Sequence, residues 1–297
     1  MLAKHPPNMP LVPETPLTPL PLAAVWLILL LGLLGAGLLV HLLLWAAPRR
    51  AAVQRHLRNR LAALPAADLE VWPLVLILAW IFAMSAAQTL RPPAAPPLPS
   101  LGSLLAGGIL QNGLLALAVA VCLRLAGSGW HTLAGAVGGG RGMRVRAVAA
   151  GLRGGVMLLA PAWLAAGAGA AMLQRLAWPV EPQAALQWLA GGQLGAWRVL
   201  VLLLASLVLA PLAEEVVFRG ILLPVLARHG TRPWRALLLS SLLYAALHLH
   251  AGSLLPLLAV GGACGLGFLA TGHLLTPIVM HALFNAVSLL ALFARPS

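Results

Sequence analysis

Apolar runs of about twenty residues recur along this chain of 297 residues, and they restrict its fold more than any other sequence feature. A helix needs about twenty apolar residues to cross the hydrocarbon core of a bilayer. Only 8% of the residues are charged, against about a quarter in soluble domains, which excludes an ordinary soluble protein. The runs are continuous rather than alternating, so they predict helices. The predicted fold is an all-α, polytopic membrane helical bundle.

Eight transmembrane helices are predicted, near 21–46, 71–90, 101–125, 149–173, 197–227, 234–250, 254–271 and 275–293. Residues 1–19 contain six prolines and are predicted to form a disordered tail. The chain then divides into N-terminal helices with basic loops at 20–196 and a second group of helices at 197–293.

The basic residues predict the orientation of the bundle. Thirteen arginines lie in or beside the loops that follow the first, third and fifth helices: Arg49, Arg50, Arg55, Arg58, Arg60, Arg124, Arg141, Arg144, Arg146, Arg153, Arg228, Arg232 and Arg235. Five basic residues lie in the alternate loops or at the termini: Lys4, Arg91, Arg175, Arg198 and Arg295. Because cytoplasmic loops are enriched in Lys and Arg, both termini are predicted to be non-cytoplasmic.

The net charge of +13 does not indicate nucleic acid, because the arginines are confined to short segments between apolar runs, where they are suited to anionic lipid. The glycine-rich segment 135–146 lacks the Gly-Lys-Ser/Thr ending of a phosphate-binding loop and is predicted to be a flexible cytoplasmic loop. Cys122 and Cys264 fall inside apolar runs, as buried thiols do. They predict neither a disulfide framework nor a cysteine metal site.

Two adjacent glutamates, Glu214 and Glu215, interrupt the fifth apolar run of a chain with six acidic residues in total. A carboxylate at membrane depth costs several kcal/mol unless it is paired or faces a polar cavity. Arg219 lies four residues after Glu215, on the same helix face, so these two side chains can pair. Glu214 projects about 100° away and has no partner in its own helix. Pro211, one turn earlier, is expected to kink the helix and to open room for water.

The sixth and eighth helices supply further polar side chains at helical spacing. Tyr244 and His248 are four residues apart, as are His281 and Asn285, so each pair shares one helix face. If these faces meet Glu214, the bundle holds a carboxylate, two imidazoles and a carboxamide. Amide hydrolysis needs a base to activate water and donors to stabilise an oxyanion, and this set can supply both.

Each of these residues also has an ordinary structural explanation. A single histidine in a transmembrane helix commonly links two helices, and a Glu–Arg pair can be structural or part of a transport path. Ser240 and Ser241 are predicted to ease helix packing, because neither lies in a Gly-x-Ser-x-Gly nucleophile motif. Three other histidines lie near the ends of predicted helices, where no function is needed to explain them: His229, His250 and His273.

Three motifs in this region resemble those of the CAAX prenyl protease and bacteriocin-processing (CPBP) family. The string EEVVFR at 214–219 matches its Glu-Glu-x-x-x-Arg motif, and 281–285 matches its His-x-x-x-Asn motif. The string at 244–248 resembles its Phe-x-x-x-His motif, with Tyr244 in place of phenylalanine. The resemblance covers about residues 197–293, which would then be the catalytic helices.

The resemblance implies an intramembrane endopeptidase of the glutamate type with eight helices and an active site open to the cytoplasm. Glu214 and His248 would activate the attacking water, while His281 and Asn285 would form the oxyanion hole. Glu215 and Arg219 would support the site, as would the ring of Tyr244. No cofactor is expected, and the partners would be the lipid bilayer and a membrane-associated protein or peptide substrate.

Two alternatives stay open at the level of sequence. In the first, Glu214, His248 and His281 bind zinc and Glu215 is the base of a membrane metallopeptidase. In the second, the chain is a transporter or an immunity-type binding protein that uses Glu214 as a proton or cation site. The abundance of alanine, leucine and arginine is typical of a bacterial genome rich in GC. It therefore favours a maturation or sorting protease of the bacterial inner membrane.

Overall fold

A computed structural model of the protein describes residues 139–177, 194–228 and 233–293, together with 59, 75–80, 82–83 and 124. The three long segments form five helices, and the described residues contain no strand, as the all-α prediction requires. The helices are α1 (Arg141–Arg175), α2 (196–228), α3 (Pro233–Ala246), α4 (Leu254–Thr271) and α5 (Leu275–Phe293). The predicted tail at 1–19 and the predicted helix at 21–46 lie outside the described residues, as does most of the loop at 48–66 and of the helices at 71–90 and 101–125.

Four helices in the described part of the chain are long and apolar enough to cross a membrane: Arg141–Arg175, Ala196–Ala227, Ala251–Thr271 and Leu275–Phe293. They coincide with the predicted fourth, fifth, seventh and eighth spans. Between 11% and 33% of the most apolar stretch of each helix is buried within the protein, so much of its apolar surface faces outward. These helices support an integral membrane protein. The total of eight spans and the orientation of the termini stay predictions.

Two of the predicted boundaries were wrong. The segment 141–146, predicted as part of a flexible loop, forms the first turns of α1. Gly142 is its one poor helix former, and its arginines and methionine continue directly into an alanine-rich helix. The sixth span was predicted to extend to residue 250, but α3 ends at Ala246 after 14 residues. A helix of that length spans about 21 Å, less than the roughly 30 Å of a bilayer core.

α1 packs closely against α5 because small residues line its contact face. A β-carbon at Gly151 would lie 2.7 Å from Cβ of Val279 and 2.8 Å from the carbonyl oxygen of Thr276. The hydroxyl of Thr276 donates to the carbonyl of Ala147 across the same interface, at 3.1 Å. Small residues let transmembrane helices approach to backbone distance, where van der Waals contact and polar links hold them together.

We expect Gly151→Ala to destabilise the bundle by about 1–3 kcal/mol, because the new methyl group would overlap a backbone carbonyl that cannot rotate away. Gly262→Ala is the matched control, since nothing lies within 4 Å of a β-carbon at that helical glycine. Thermal unfolding of the purified protein in detergent should give a lower midpoint for Gly151→Ala alone. Equal midpoints for the two variants would contradict close packing of α1 on α5.

The main apolar core lies where α2 meets α3, α4 and α5. Its fully buried members include Val217 and Ile221 of α2, Tyr244 of α3 and Val260 of α4. α4 also packs on α1 and α3, so it lies between them. The glutamates of α2 therefore lie one turn from the best-packed part of the described structure.

Candidate active site

The helix that carries both glutamates is π-helical on either side of them. α2 has α-helical geometry at Ala210–Glu215, between π-helical segments at Ala205–Leu209 and Val216–Leu222. The first segment ends two residues before Pro211, which has no N–H to donate, and the N–H of Ala210 bonds to the carbonyl of Ala205, five residues earlier. π-helical turns are rare and occur frequently at functional sites. The first of the two segments changes the angular position of the glutamates relative to the helix that precedes them.

Glu215 is completely buried and is held by two positively polarised partners. Nη1 of Arg219 lies 3.0 Å from Oε1 of Glu215, and Nη2 of Arg219 donates to the carbonyl of Gly261 on α4, at 2.8 Å. Nδ1 of His281 on α5 lies 3.0 Å from the same carboxylate oxygen. The guanidinium also lies 4.9 Å from the centre of the Tyr244 ring of α3, within cation–π range. One ion pair thus joins four helices.

The end of α3 places His248 beside this cluster. Leu249 has a φ of 49°, in the left-handed region that a leucine rarely adopts, and it turns the chain away from the helix axis. His248 consequently lies just beyond the last helical turn, with Nδ1 2.8 Å from the carbonyl oxygen of Tyr244. Backbone strain of this kind is concentrated at functional sites, and here it accompanies the exposure of one imidazole.

Glu214 faces two histidines rather than an arginine. Its Oε2 lies 4.0 Å from Nε2 of His248 and 3.9 Å from Nε2 of His281. The side chains of Glu214 and His248 are 26% and 28% exposed, whereas that of Glu215 is 0% exposed. The two adjacent acids therefore differ sharply: Glu215 is neutralised in the core, and Glu214 lies at the edge of accessible space.

The hydrogen bonds of His248 and His281 indicate which ring nitrogen of each neutral imidazole carries no proton. A carbonyl oxygen only accepts, so Nδ1 of His248 donates to Tyr244. A carboxylate paired with arginine also accepts, so Nδ1 of His281 donates to Glu215. In their neutral forms both imidazoles then direct an unprotonated Nε2 towards Oε2 of Glu214, which has no hydrogen-bond partner among the described residues. Nε2 of His281 can also accept from the hydroxyl of Tyr244, which lies 3.4 Å away.

Asn285 projects from α5 one turn beyond His281, and its amide nitrogen donates to the carbonyl of Ser206, at 2.8 Å. That carbonyl belongs to the first π-helical segment of α2. The contact ties α5 to the irregular part of α2 and leaves Asn285 one further amide N–H. The predicted oxyanion role of Asn285 depends on that second N–H.

The remaining polar residues of this region serve the packing of the described helices. The hydroxyl of Ser240 donates to the carbonyl of Phe218, at 3.2 Å, and that of Ser241 to the carbonyl of Leu237, at 2.7 Å. Nδ1 of His273 accepts from the N–H of Leu275 at the start of α5, and His250 contacts Ser253. His229 lies outside the described residues.

Metal binding finds limited support in this geometry. In the part of the chain that is described, no group of three His, Cys, Asp or Glu side chains is arranged to hold a metal ion. Glu215, the base in the zinc alternative, already accepts from Arg219 and His281. These contacts, both made through Oε1, count against Glu215 as the base of a zinc site, and the expectation that no cofactor is needed stays a prediction.

Sequence reasoning missed three features of the site: the carbonyl of Gly261, the carbonyl of Ser206 and the double contact of Tyr244 with the two histidines. The two carbonyls left no signal, since a backbone oxygen can accept from any residue type. Tyr244 did leave one, because it is the one tyrosine of the chain and stands where the family motif has phenylalanine.

Comparison with known proteins finds similarity in the part of the chain that carries this site. Residues 196–287 match the family model described as type II CAAX prenyl endopeptidase Rce1-like. This match is to an Rce1-like domain and covers less than half of the chain. An uncharacterized 24.3 kDa protein of Escherichia coli is 36% identical over 96 residues, which are 31% of this chain and 44% of that protein. The chain thus spans less than half of that relative's length, and no solved structure matches the chain.

The Rce1-like domain contains all of the site residues predicted from the sequence. Within it, the structure brings together Glu214, His248 and His281, with Glu215, Arg219 and Tyr244 behind them. Asn285 lies on the same helix as His281, but it contacts Ser206. The domain also lies in the part of the chain where spans are apolar and exposed, as expected of a membrane protein.

We expect Arg219→Ala to destabilise the protein by about 3–5 kcal/mol, because it would leave the Glu215 carboxylate buried without its cation. Arg153→Ala is the matched control, since the Arg153 side chain is exposed and donates to the carbonyl of Ala149 within its own helix. Surface substitutions of that kind usually change stability by less than about 0.5 kcal/mol. Thermal unfolding in detergent measures the stability of both variants. A wild-type midpoint for Arg219→Ala would contradict a structural role for the Arg219–Glu215 ion pair.

Proposed function

We propose that this protein is an intramembrane endopeptidase that hydrolyses a peptide bond of a membrane-associated protein or peptide, with Glu214 as the base. The observation that carries the proposal is the placement of Glu214 Oε2 within 4.0 Å of two imidazole nitrogens, while the neighbouring Glu215 is neutralised. A structural acid in a membrane helix would be expected to pair with the available arginine. Arg219 instead pairs with Glu215, and Glu214 faces the two histidines.

The reaction would begin with a water molecule held between Glu214 and His248, the two partly exposed members of the site. Glu214 takes one proton of this water as its oxygen attacks the scissile carbonyl carbon. The carbonyl π electrons move to oxygen and form a tetrahedral oxyanion. When the C–N bond breaks, the proton passes through Glu214 or His248 to the leaving nitrogen, which departs as an amine.

Asn285 and His281 are proposed to donate to the oxyanion, as the resemblance implies. Asn285 would use the amide N–H that Ser206 leaves free. His281 can donate from Nε2 only when that nitrogen carries a proton, because Nδ1 is committed to Glu215. Donors fixed by the helices before reaction stabilise developing charge more strongly than mobile water does.

The substrate would reach the site from the cytoplasmic side of a bacterial inner membrane, where the arginine clusters orient the bundle. A maturation or sorting reaction at a membrane-associated peptide end fits this location. The exposed edge of Glu214 and His248 supplies the access that a polypeptide substrate requires. The family description, type II CAAX prenyl endopeptidase Rce1-like, supports a peptidase of this class.

We expect Glu214→Gln and His248→Ala each to lower cleavage by at least about a hundredfold, the contribution of a general acid–base group, without unfolding the protein. The substrates can be found by comparing peptide termini of membrane and secreted fractions between a wild-type strain and a strain carrying Glu214→Gln. Ser241→Ala serves as the control, because it removes a hydroxyl that bonds only within α3. Normal processing of every substrate by Glu214→Gln would falsify the proposal, and it would favour a transport role for this acid if flux were lost instead.

We expect cleavage by the purified protein to persist in 1,10-phenanthroline, because Glu215 is held by Arg219 and His281 rather than left free beside a metal. An inactive isomer of the chelator that cannot bind metal controls for effects on the membrane protein itself. Loss of cleavage in the chelating isomer alone, with recovery on adding Zn²⁺, would establish the metallopeptidase alternative.

A further inference from the structure

Tyr244 contacts both histidines of the site through different atoms. Its backbone carbonyl accepts from Nδ1 of His248, at 2.8 Å, and its hydroxyl oxygen lies 3.4 Å from Nε2 of His281. The residue is fully buried, and in the described structure this imidazole nitrogen is the hydrogen-bond partner of its hydroxyl. The proposed mechanism uses neither contact. Tyr244 also stands where the family motif carries phenylalanine, which lacks a hydroxyl.

The packing around Tyr244 fixes the direction of that hydroxyl. The Phe218 ring meets the Tyr244 ring edge to face with centres 5.2 Å apart, and the Arg219 guanidinium lies 4.9 Å from its centre. The rings of His248 and His281 lie on other sides, 5.0 Å and 6.0 Å away. A ring enclosed on these sides keeps its hydroxyl beside His281.

The hydrogen bond made by Nδ1 of His281 determines which atom donates in the contact between the Tyr244 hydroxyl and Nε2. Nδ1 of His281 donates to Glu215, so the neutral ring has a lone pair at Nε2. The Tyr244 hydroxyl can donate into that lone pair. If Nε2 were protonated instead, two donors would face each other and the buried O–H would lose its acceptor, which is unfavourable.

With both histidines neutral, the described cluster carries one net negative charge. Glu214 and Glu215 contribute two negative charges and Arg219 one positive charge, and these are the carboxylates and the guanidinium of the described cluster. One further proton would make the cluster neutral, which an apolar surrounding favours. Its possible carriers are Glu214, His248 and His281, whose Oε2 and Nε2 atoms face one another.

We propose that Tyr244 is a positioning residue whose hydroxyl donates to Nε2 of His281, holds this imidazole neutral in the resting site and so confines the shared proton to Glu214 and His248. The consequence for catalysis rests on the proposed function: Glu214 and His248 would together supply the acid and the base of the reaction. His281 would then gain its proton at Nε2 only during the reaction, from the proton shared by Glu214 and His248, while the proton taken from water passes to the leaving nitrogen.

The test is nuclear magnetic resonance of the full-length chain in detergent micelles at neutral pH, with ¹⁵N-labelled histidine. The resonances of His281, one of nine histidines, are assigned by their loss in His281→Gln. We expect a protonated Nδ1 and an unprotonated Nε2 in the wild type. In Tyr244→Phe, which removes only the hydroxyl, Nε2 of His281 should become protonated, because the freed lone pair faces Glu214.

Ser241→Ala is the matched control, since it removes another buried hydroxyl from α3 and should leave the His281 resonances unchanged. A protonated Nε2 in the wild type, or identical His281 resonances in the wild type and Tyr244→Phe, would overturn the inference. Cleavage by the same wild-type preparation tests the proposed function separately. A wild type that cleaves nothing contradicts that function, while the resonances still decide the role of Tyr244.

Discussion

The buried ion pair between Arg219 and Glu215 is the interaction on which the rest of the site depends. Both side chains are almost fully enclosed, so neither charge can be balanced by water. The arginine reaches α4 through the Gly261 carbonyl and lies against the Tyr244 ring of α3, while the glutamate reaches α5 through His281. Removing either charge would leave the other unpaired in an apolar core, which is far more costly than the pair itself.

The same pair explains how two adjacent acids acquire different properties. One arginine can neutralise one carboxylate, and the helical spacing of four residues assigns it to Glu215. Glu214 is left to two imidazoles that are already oriented by their other nitrogens. A base whose partners are fixed by a structural neighbour needs little rearrangement to act on a bound water, which is the condition for electrostatic preorganisation.

Much of this arrangement could be predicted from the sequence because it follows from helical periodicity. The bounds of α4 and α5, the pairing of Glu215 with Arg219, and the presence of His281 and Asn285 on one helix all depend on spacing within a single helix. The end of α3 at Ala246 is followed by a left-handed conformation at Leu249. Leucine rarely adopts this conformation, so the sequence does not indicate that the helix ends there. Contacts to the carbonyls of Gly261 and Ser206 arise from packing between helices, where any residue type can supply the acceptor.

We assign Glu214 a role in the proposed reaction and Glu215 a role in the stability of the bundle. The most direct test of this assignment is the thermal unfolding of Glu214→Gln and Glu215→Gln in the same detergent, since the two variants remove the same charge from adjacent positions. We expect a midpoint near that of the wild type for Glu214→Gln and a markedly lower one for Glu215→Gln, because the second variant leaves Arg219 without its counter-charge. Equal losses in the two variants, or a greater loss for Glu214→Gln, would contradict it.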